Sequence, residues 1–415
     1  MTVVLISPVN PYPVDAGKKV VLAGFISYFV ARYGSDRVHY VLPGGSGVRE
    51  FPIDLRSVPL PGRLRAVGNV ATRVLTGRSS LQESLLFSRE TARALDELRA
   101  QLRPSIEIYD TVRMAQYAGN NAAEQICYLD DLFSQRYTAM LDAAQRYPDV
   151  DIAPLGNFAT HVPSALRPLA EHRRGQVALL RAERNLVGKS EDRVAQSFRR
   201  SLLVNGIEAA TLTERARVPS ARVRAVPPLV DAPEAVTRQV RSPEFVFLGL
   251  LSLPHNDDGL AWFLRSVWPG VVARMPDARL RIVGRDPRPG LLSLTRQLSD
   301  TVSVDGYVPD LSSVLANATA LINPLRFGSG IKLKVIEALA RGLPVVSTTV
   351  GAEGIRSGVD TGVLVGDQPG EIVELMSELT SVRRNGEIGD AALEHFQSVY
   401  SQAAVFEAYD AAFAA

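Results

Sequence analysis

The stretch Asn323-Pro-Leu-Arg-Phe-Gly-Ser-Gly-Ile-Lys-Leu-Lys-Val-Ile-Glu-Ala-Leu-Ala-Arg-Gly-Leu-Pro-Val-Val-Ser-Thr348 decides the fold. The apolar run Ala320 to Asn323 stops at Pro324, and the Gly-Ser-Gly at 328 to 330 removes side-chain bulk from a turn. A helix pattern follows, then a second apolar run from Leu343 to Thr348. Strand, turn, helix and strand in this order form the repeating unit of a parallel α/β domain. The turn before the helix presents free backbone N–H groups and the positive end of the helix dipole, an anion-binding arrangement. Lys332 and Lys334 place two cations in the first turn, where the dipole disfavours them unless an anion lies close by. Glu337, one turn beyond Lys334, is placed either to accept hydrogen bonds from two sugar hydroxyls or to pair with Lys334 on the surface.

The same pattern extends on both sides of this segment. Phe245 to Leu248, Arg279 to Val283 and Val302 to Val304 are further strand candidates, each followed by a Gly- or Pro-containing loop and a helical stretch. Upstream, Pro233, Pro243 and several charges interrupt the pattern, which places a linker around residues 232 to 243. Before it, Val3 to Ser7, Val38 to Leu42, Ser105 to Tyr109, Gln125 to Leu129 and Arg222 to Pro227 read as strands. Helices are expected from Gly17 to about Gly34, from Glu90 to Gln101 and, long and charged, from Glu171 to Lys189. Two doubly wound domains result, with a ligand cleft expected where their strand ends meet.

The whole composition agrees with this reading. The 415 residues are 46% hydrophobic and carry 46 Lys+Arg against 44 Asp+Glu, which excludes a disordered chain and disfavours a dedicated nucleic-acid binder. Only five basic residues are lysines: Lys18, Lys19, Lys189, Lys332 and Lys334. The single Cys127 allows no disulfide within the chain and is expected in the core. The N-terminus lacks the features of a signal peptide, and the longest apolar run, Val20 to Val30, is too short to span a bilayer. A cytoplasmic protein is expected, at most peripheral to the inner face of the membrane. Arg56, Arg63, Arg65, Arg73 and Arg78, interleaved with Leu64, Val67, Val70, Val74 and Leu75, form a basic amphipathic stretch that suits either an anionic lipid surface or plain solvent.

From Phe245 to about His395 the sequence resembles the donor-binding half of the two-domain, Rossmann-like glycosyltransferases of the GT-B type, family 4, also called group 1. The resemblance is carried by Phe-Leu-Gly-Leu at 247 to 250, Pro276 to Arg285, Val304 to Asp310, the 323 to 348 segment, Val350-Gly-Ala-Glu-Gly354 and Thr361-Gly-Val-Leu-Val365. It implies a nucleotide-sugar-dependent glycosyltransferase that retains anomeric configuration. Glu337 would then bind the donor ribose, and the expected donor contacts are Gly249, Gly284, Tyr307, Val308, Arg326, Gly328, Ser329, Gly330 and Ile331. Two departures stand out. Ser329 occupies the position of the family's first glutamate, as in a subgroup associated with exopolysaccharide loci that also matches Pro254 to Gly259 and Trp262-Phe263. Leu250 and Leu251 follow Gly249 where the family has a basic diphosphate clamp, so Lys332, Lys334 and Arg326 are the expected replacements.

The N-terminal half resembles the family more loosely through Ser7 to Lys19, which implies that Gly17, Lys18 and Lys19 lie near donor phosphate and acceptor. Asp130 and Asp131 follow the Gln125 to Leu129 strand where many relatives have a histidine. They are expected either to orient or deprotonate the acceptor hydroxyl or to cap the next helix. The implied boundaries are 1–235 for an acceptor-binding domain, 236–398 for a donor-binding domain, and 399–415 for a C-terminal helix returning to the first domain. No metal or other cofactor is expected; Asp149-Val-Asp151 is read as a loop, and the five histidines show no metal-ligand spacing. The expected partners are a nucleotide sugar and a saccharide, lipid-linked or small-molecule acceptor. The competing readings are a nucleotide-sugar-binding partner without activity and a nucleotide-sugar epimerase.

Overall fold

The computed structural model describes residues 1–14, 17–45, 48, 50–74, 76–77, 79–147, 173–231 and 242–413. Most of the expected linker, Asp149-Val-Asp151, His161, His172, Leu75 and Arg78 therefore lie outside the described residues. The rest divides into two compact units. One contains residues 1–142, 173–229 and 406–413; the other contains 143–147, 230–231 and 242–405.

The first unit is built on seven parallel strands: β1 (Val3–Ile6), β2 (Val38–Pro43), β3 (Asp54–Val58), β4 (Ile106–Asp110), β5 (Glu124–Asp130), β6 (Arg200–Leu203) and β7 (Val223–Ala225). Their order is β3-β2-β1-β4-β5-β6-β7, with Val3 set opposite both Val38 and Ile106. The chain winds outward in both directions from β1 and β4, so the topological switch point lies between these two strands. β1, β2 and β4 are buried along their whole length, as expected of strands covered by helices on both faces. Cys127 is fully buried, as its apolar neighbours predict.

The second unit repeats the plan with β8 (Glu244–Leu248), β9 (Arg279–Val283), β10 (Val302–Gly306), β11 (Ala320–Asn323), β12 (Val345–Ser347) and β13 (Val363–Val365), in the order β10-β9-β8-β11-β12-β13. Here the switch point falls between β8 and β11, which pair directly. Phe245, Phe247, Leu260, Phe263, Trp268 and Leu280 are among the side chains of its core.

The last helix, Gln402–Phe413, brings residues 406–413 back into the first unit. Tyr409 and Phe413 pack edge-on against Phe25 of the Gly17–Tyr33 helix. The Tyr409 hydroxyl donates to the Pro227 carbonyl at 3.1 Å, and Tyr28 donates to Asp410 at 2.7 Å. Gly24 makes this packing possible, since a Cβ there would come within 2.9 Å of Leu229 Cβ. No helix among the described residues is long and apolar enough to cross a membrane.

Candidate functional site

In the second unit the loops after β8, β9 and β10 converge at the carboxyl ends of the strands. Gly249 N donates to Val283 O at 3.1 Å and Gly284 N to Gly306 O at 2.8 Å. The chains run so close that a Cβ on Gly284 would lie 1.8 Å from the Gly249 carbonyl oxygen. These glycines keep the rim of the switch point free of side chains. Tyr307 stands exposed beside them with the Arg285 guanidinium 5.3 Å from its ring centre, and Val308 is half-buried.

On the other side of the switch point, the loop after β11 makes the expected glycine turn. Gly328 and Gly330 have φ of 140° and 73°, backbone that favours glycine. The helix opens one turn later, as Leu333–Leu339, with Lys332 in the N-cap position. Lys332 folds back over its own loop and donates to the carbonyls of Ser329 at 2.8 Å and Gly330 at 2.5 Å. Lys334 turns away from Glu337 and donates to Asn256 Oδ1 at 3.1 Å, with its ammonium 4.0 Å from the centre of the Phe247 ring. Burial, aided by the nearby Lys332 charge, pushes Lys334 well below the ordinary lysine range.

Asn256 lies within the Pro254 to Gly259 stretch. It links the two sides of the switch point, since its Nδ2 donates to Leu250 O at 2.9 Å while its Oδ1 receives Lys334. Glu337 is half-buried on the same helix; burial raises its carboxyl, and the Arg341 charge opposes that less strongly. Arg326, expected as a free cation, is held as a two-pronged pair by Asp258 on the Pro254–Trp262 helix, one contact being 2.9 Å. Its charge is therefore already matched by a carboxylate that the sequence reading left without a role. Ile331 lies half-buried between the glycine turn and Lys332.

In the first unit a second group of polar side chains collects at the carboxyl ends of β1, β4 and β5. The Lys18 ammonium lies 2.5 Å from Asp110 Oδ1 and 3.9 Å from Asp130 Oδ2. Ser7, just beyond β1, donates to Asp110 Oδ2 at 2.6 Å, and Tyr128 donates to Asp130 Oδ1 at 2.7 Å. Burial, reinforced by the Asp131 charge, raises the Asp130 carboxyl against the opposing pull of Lys18. Asp131 pairs with Arg136. The helix that follows, Phe133–Arg146, receives its opening carboxylates from elsewhere, with Leu132 N donating to Glu208 at 3.2 Å and Ser134 N to Glu191 at 3.1 Å. Gly17 opens the first helix, and Lys19 donates to the Pro13 carbonyl at 3.1 Å, away from Lys18's partners.

Asp110 is the site residue that the sequence reading missed. The apolar run predicts a strand end at Tyr109, but β4 continues one residue further and carries the acid at its tip.

The arginine-rich stretch is largely tied into the protein. Arg56 pairs with Asp54 and Arg65 with Glu90. Arg73 turns inward to Ser79 and Gln116 and stacks on Phe87. Among its described apolar members, Leu64 and Val67 are exposed. Among the described residues, no group of three or more His, Cys, Asp and Glu side chains is arranged to hold a metal ion.

Two parallel α/β units of this topology make up the GT-B fold. Residues 242–381, within the second unit, match the family model described as "Glycosyl transferases group 1". Sucrose-phosphate synthase from Thermosynechococcus elongatus is similar in fold, with a TM-score of 0.65 at 13% identity over 98% of this chain and 96% of that one. A TarM mutant of S. aureus, in complex with Fondaparinux, alpha-GlcNAc-glycerol and UDP, gives a TM-score of 0.55 at 12% identity over 79% of this chain. An "Uncharacterized 44.6 kDa protein in cps region" from Klebsiella pneumoniae is 32% identical over 119 residues, 26% of this chain. The matched regions span 30% of the Klebsiella protein and 59% of TarM.

Proposed function

We propose that the protein is a glycosyltransferase that moves a sugar from a nucleoside-diphosphate donor to a saccharide, lipid-linked or small-molecule acceptor, with retention at the anomeric carbon. The observation that carries this reading is the coincidence of the group 1 domain with the glycine-lined switch point of the second unit, where Lys332, Lys334 and Glu337 stand on one short segment. In the reaction the bond from the anomeric carbon to the diphosphate oxygen breaks, and its electron pair leaves with the nucleoside diphosphate. The acceptor oxygen forms the new bond and gives up its proton to the departing diphosphate oxygen. The main demand is charge stabilisation on the leaving diphosphate.

We assign that role to Lys332, whose ammonium already sits on the glycine turn, and to Lys334. Lys334 is enclosed over Phe247, so an incoming diphosphate is the kind of charge that would keep it protonated. Glu337 is assigned to the donor ribose. UDP in TarM supports a nucleoside-diphosphate donor, and the cps-region relative supports a place in the synthesis of a surface polysaccharide.

The test is turnover of Lys332→Ala combined with Lys334→Met, the second change chosen to keep the buried volume. With candidate sugar nucleotides and saccharide acceptors, kcat should fall about 100-fold or more while the thermal unfolding transition is kept. A rate close to that of the unaltered protein removes the leaving-group assignment. UDP binding with no transfer by the unaltered protein points to a nucleotide-sugar-binding partner instead.

A further inference from the structure

We propose that Asp110 is a positioning residue of the first unit's site: it holds the Lys18 ammonium on its own carboxylate and so leaves Asp130 as the carboxylate that meets a sugar hydroxyl. This inference rests on the glycosyltransferase reading above.

The geometry is specific. β1 and β4 flank the switch point of the first sheet, where ligands of doubly wound domains gather. Ser7, next to the end of β1, and Asp110, the last residue of β4, are joined there by their 2.6 Å hydrogen bond. The Asp110 side chain is 1% exposed, while Lys18 and Asp130 are 17% and 15% exposed. The buried acid thus sits beneath, and the two more accessible groups face outward from it. Lys18 lies at 2.5 Å from Asp110 but 3.9 Å from Asp130, so one ammonium serves two carboxylates unequally.

The backbone supports the arrangement. Thr111 and Asp130, at the tips of neighbouring strands, have φ of 62° and 69°, left-handed conformations that cost energy in residues with a Cβ. Asp130 is faced by Lys18 from the Gly17–Tyr33 helix and by Tyr128 and Asp131 along its own chain. Asp110 lies across the shared ammonium, with Arg113 from the Thr111–Ala115 helix and Arg136 from the Phe133–Arg146 helix completing the surroundings. Burial and Asp131 favour the protonated form of Asp130, and the Lys18 charge opposes them. Where Lys18 rests therefore shifts the balance between the ionised and the protonated form of Asp130.

The experiment is a carbon-13 NMR titration of protein labelled at the aspartate carboxyls, with Asp130 identified as the signal lost in Asp130→Asn. In Asp110→Asn the ammonium is released toward Asp130, whose titration should move down by about one pH unit. In Lys18→Met it should move up. Shifts of opposite sign support the proposal; no shift in either variant, or shifts of the same sign, overturn it. Where Asp110→Asn fails to fold, Lys18→Met decides alone, an upward shift supporting the proposal and no shift overturning it.

In glycosyl transfer, the acid limb of kcat/KM should follow the titration in each variant, while UDP affinity stays unchanged because that site lies in the second unit. A limb that does not follow overturns the role of Asp110 toward substrate. Absence of transfer by the unaltered protein with all donors refutes the glycosyltransferase reading, whereas the NMR result still reports on Asp110 itself.

Discussion

Buried carboxylates govern this protein residue by residue, and Glu183 is the one whose effect is most measurable. It is 5% exposed on the Arg173–Ser197 helix, and it accepts from Leu81 N at 2.8 Å and Gln82 N at 3.3 Å, the N–H groups that open the Leu81–Leu86 helix. Burial outweighs these bonds and moves its carboxyl from the ordinary 4.5 to about 7. The folded state therefore holds this proton more tightly than the unfolded chain does. Its contribution to stability is complete below about pH 4.5 and is lost as pH rises through about 7. That loss should amount to roughly 3 kcal/mol. Urea unfolding measured from pH 5 to 8 on the native chain and on Glu183→Gln should show the downward slope in the first and its removal in the second. Equal slopes would mean that Glu183 is ionised in the folded protein. The sequence offered no sign of this residue's role: Glu183, Glu191 and Glu208 look like charges on solvated helices, and only the tertiary placement of other helix ends against them makes them caps. The lysines were different. Their scarcity, and the placement of two of them beside a glycine turn, mark Lys332 and Lys334 in the sequence, whereas their acceptors Asn256, Ser329 and Gly330 depend on tertiary placement.

At the level of elements, the glycine-bearing strand ends carry the architecture. Apolar runs locate β1, β2, β4, β5, β8, β9 and β11 to within a residue or two, because each has a buried apolar stretch of at least two residues, and β1, β2 and β4 are buried throughout. Three strands escaped. β3 reads Asp-Leu-Arg-Ser-Val at one edge of its sheet, β6 begins Arg-Ser, and β13 has only three residues, so none shows a run long enough to stand out. What the strand ends do is more specific than their existence. Gly284 N bonds to Gly306 O while its α-carbon lies against the Gly249 carbonyl, which locks the loops after β8, β9 and β10 into one rim. Alanine at 284 would set its Cβ 1.8 Å from that oxygen, a clash of backbone against side chain that no rotamer relieves. Gly284→Ala should cost about 3 kcal/mol or more and, if the proposed donor site is right, weaken binding of a nucleoside diphosphate such as UDP together with stability. Calorimetry with and without UDP measures both, and a variant with unchanged melting temperature and affinity would show that the rim yields freely. Gly290, where a Cβ meets nothing within 4 Å, provides the control, since Gly290→Ala should leave both values nearly unchanged.

For the molecule as a whole, the path of the chain matters as much as either sheet. Residues 406–413 belong to the first unit although the 160-odd residues before them build the second, so the stability of the first unit depends on the last segment of the chain. The dependence is aromatic: Tyr409 contacts Phe25, Tyr28 and Phe413, and Phe413 contacts Phe29. A returning C-terminal helix was anticipated from the family resemblance, but its partners depend on Gly24 being small enough to admit Leu229 and Tyr409, a condition visible only in three dimensions. Removing the ring in Tyr409→Ala should destabilise the first unit by about 3–5 kcal/mol, the usual cost of deleting a buried aromatic side chain. Tyr409→Phe keeps the packing and loses only the bond to the Pro227 carbonyl, so it should cost about 1 kcal/mol. Because two units need not unfold together, the measurement must resolve them. Hydrogen exchange followed by mass spectrometry does so: peptides from β1, β4 and β5 should exchange faster in Tyr409→Ala, while those from β8, β9 and β11 keep their protection. Equal acceleration across both sets would mean that the two units unfold as one cooperative body and that the last helix supports the whole chain rather than its first unit.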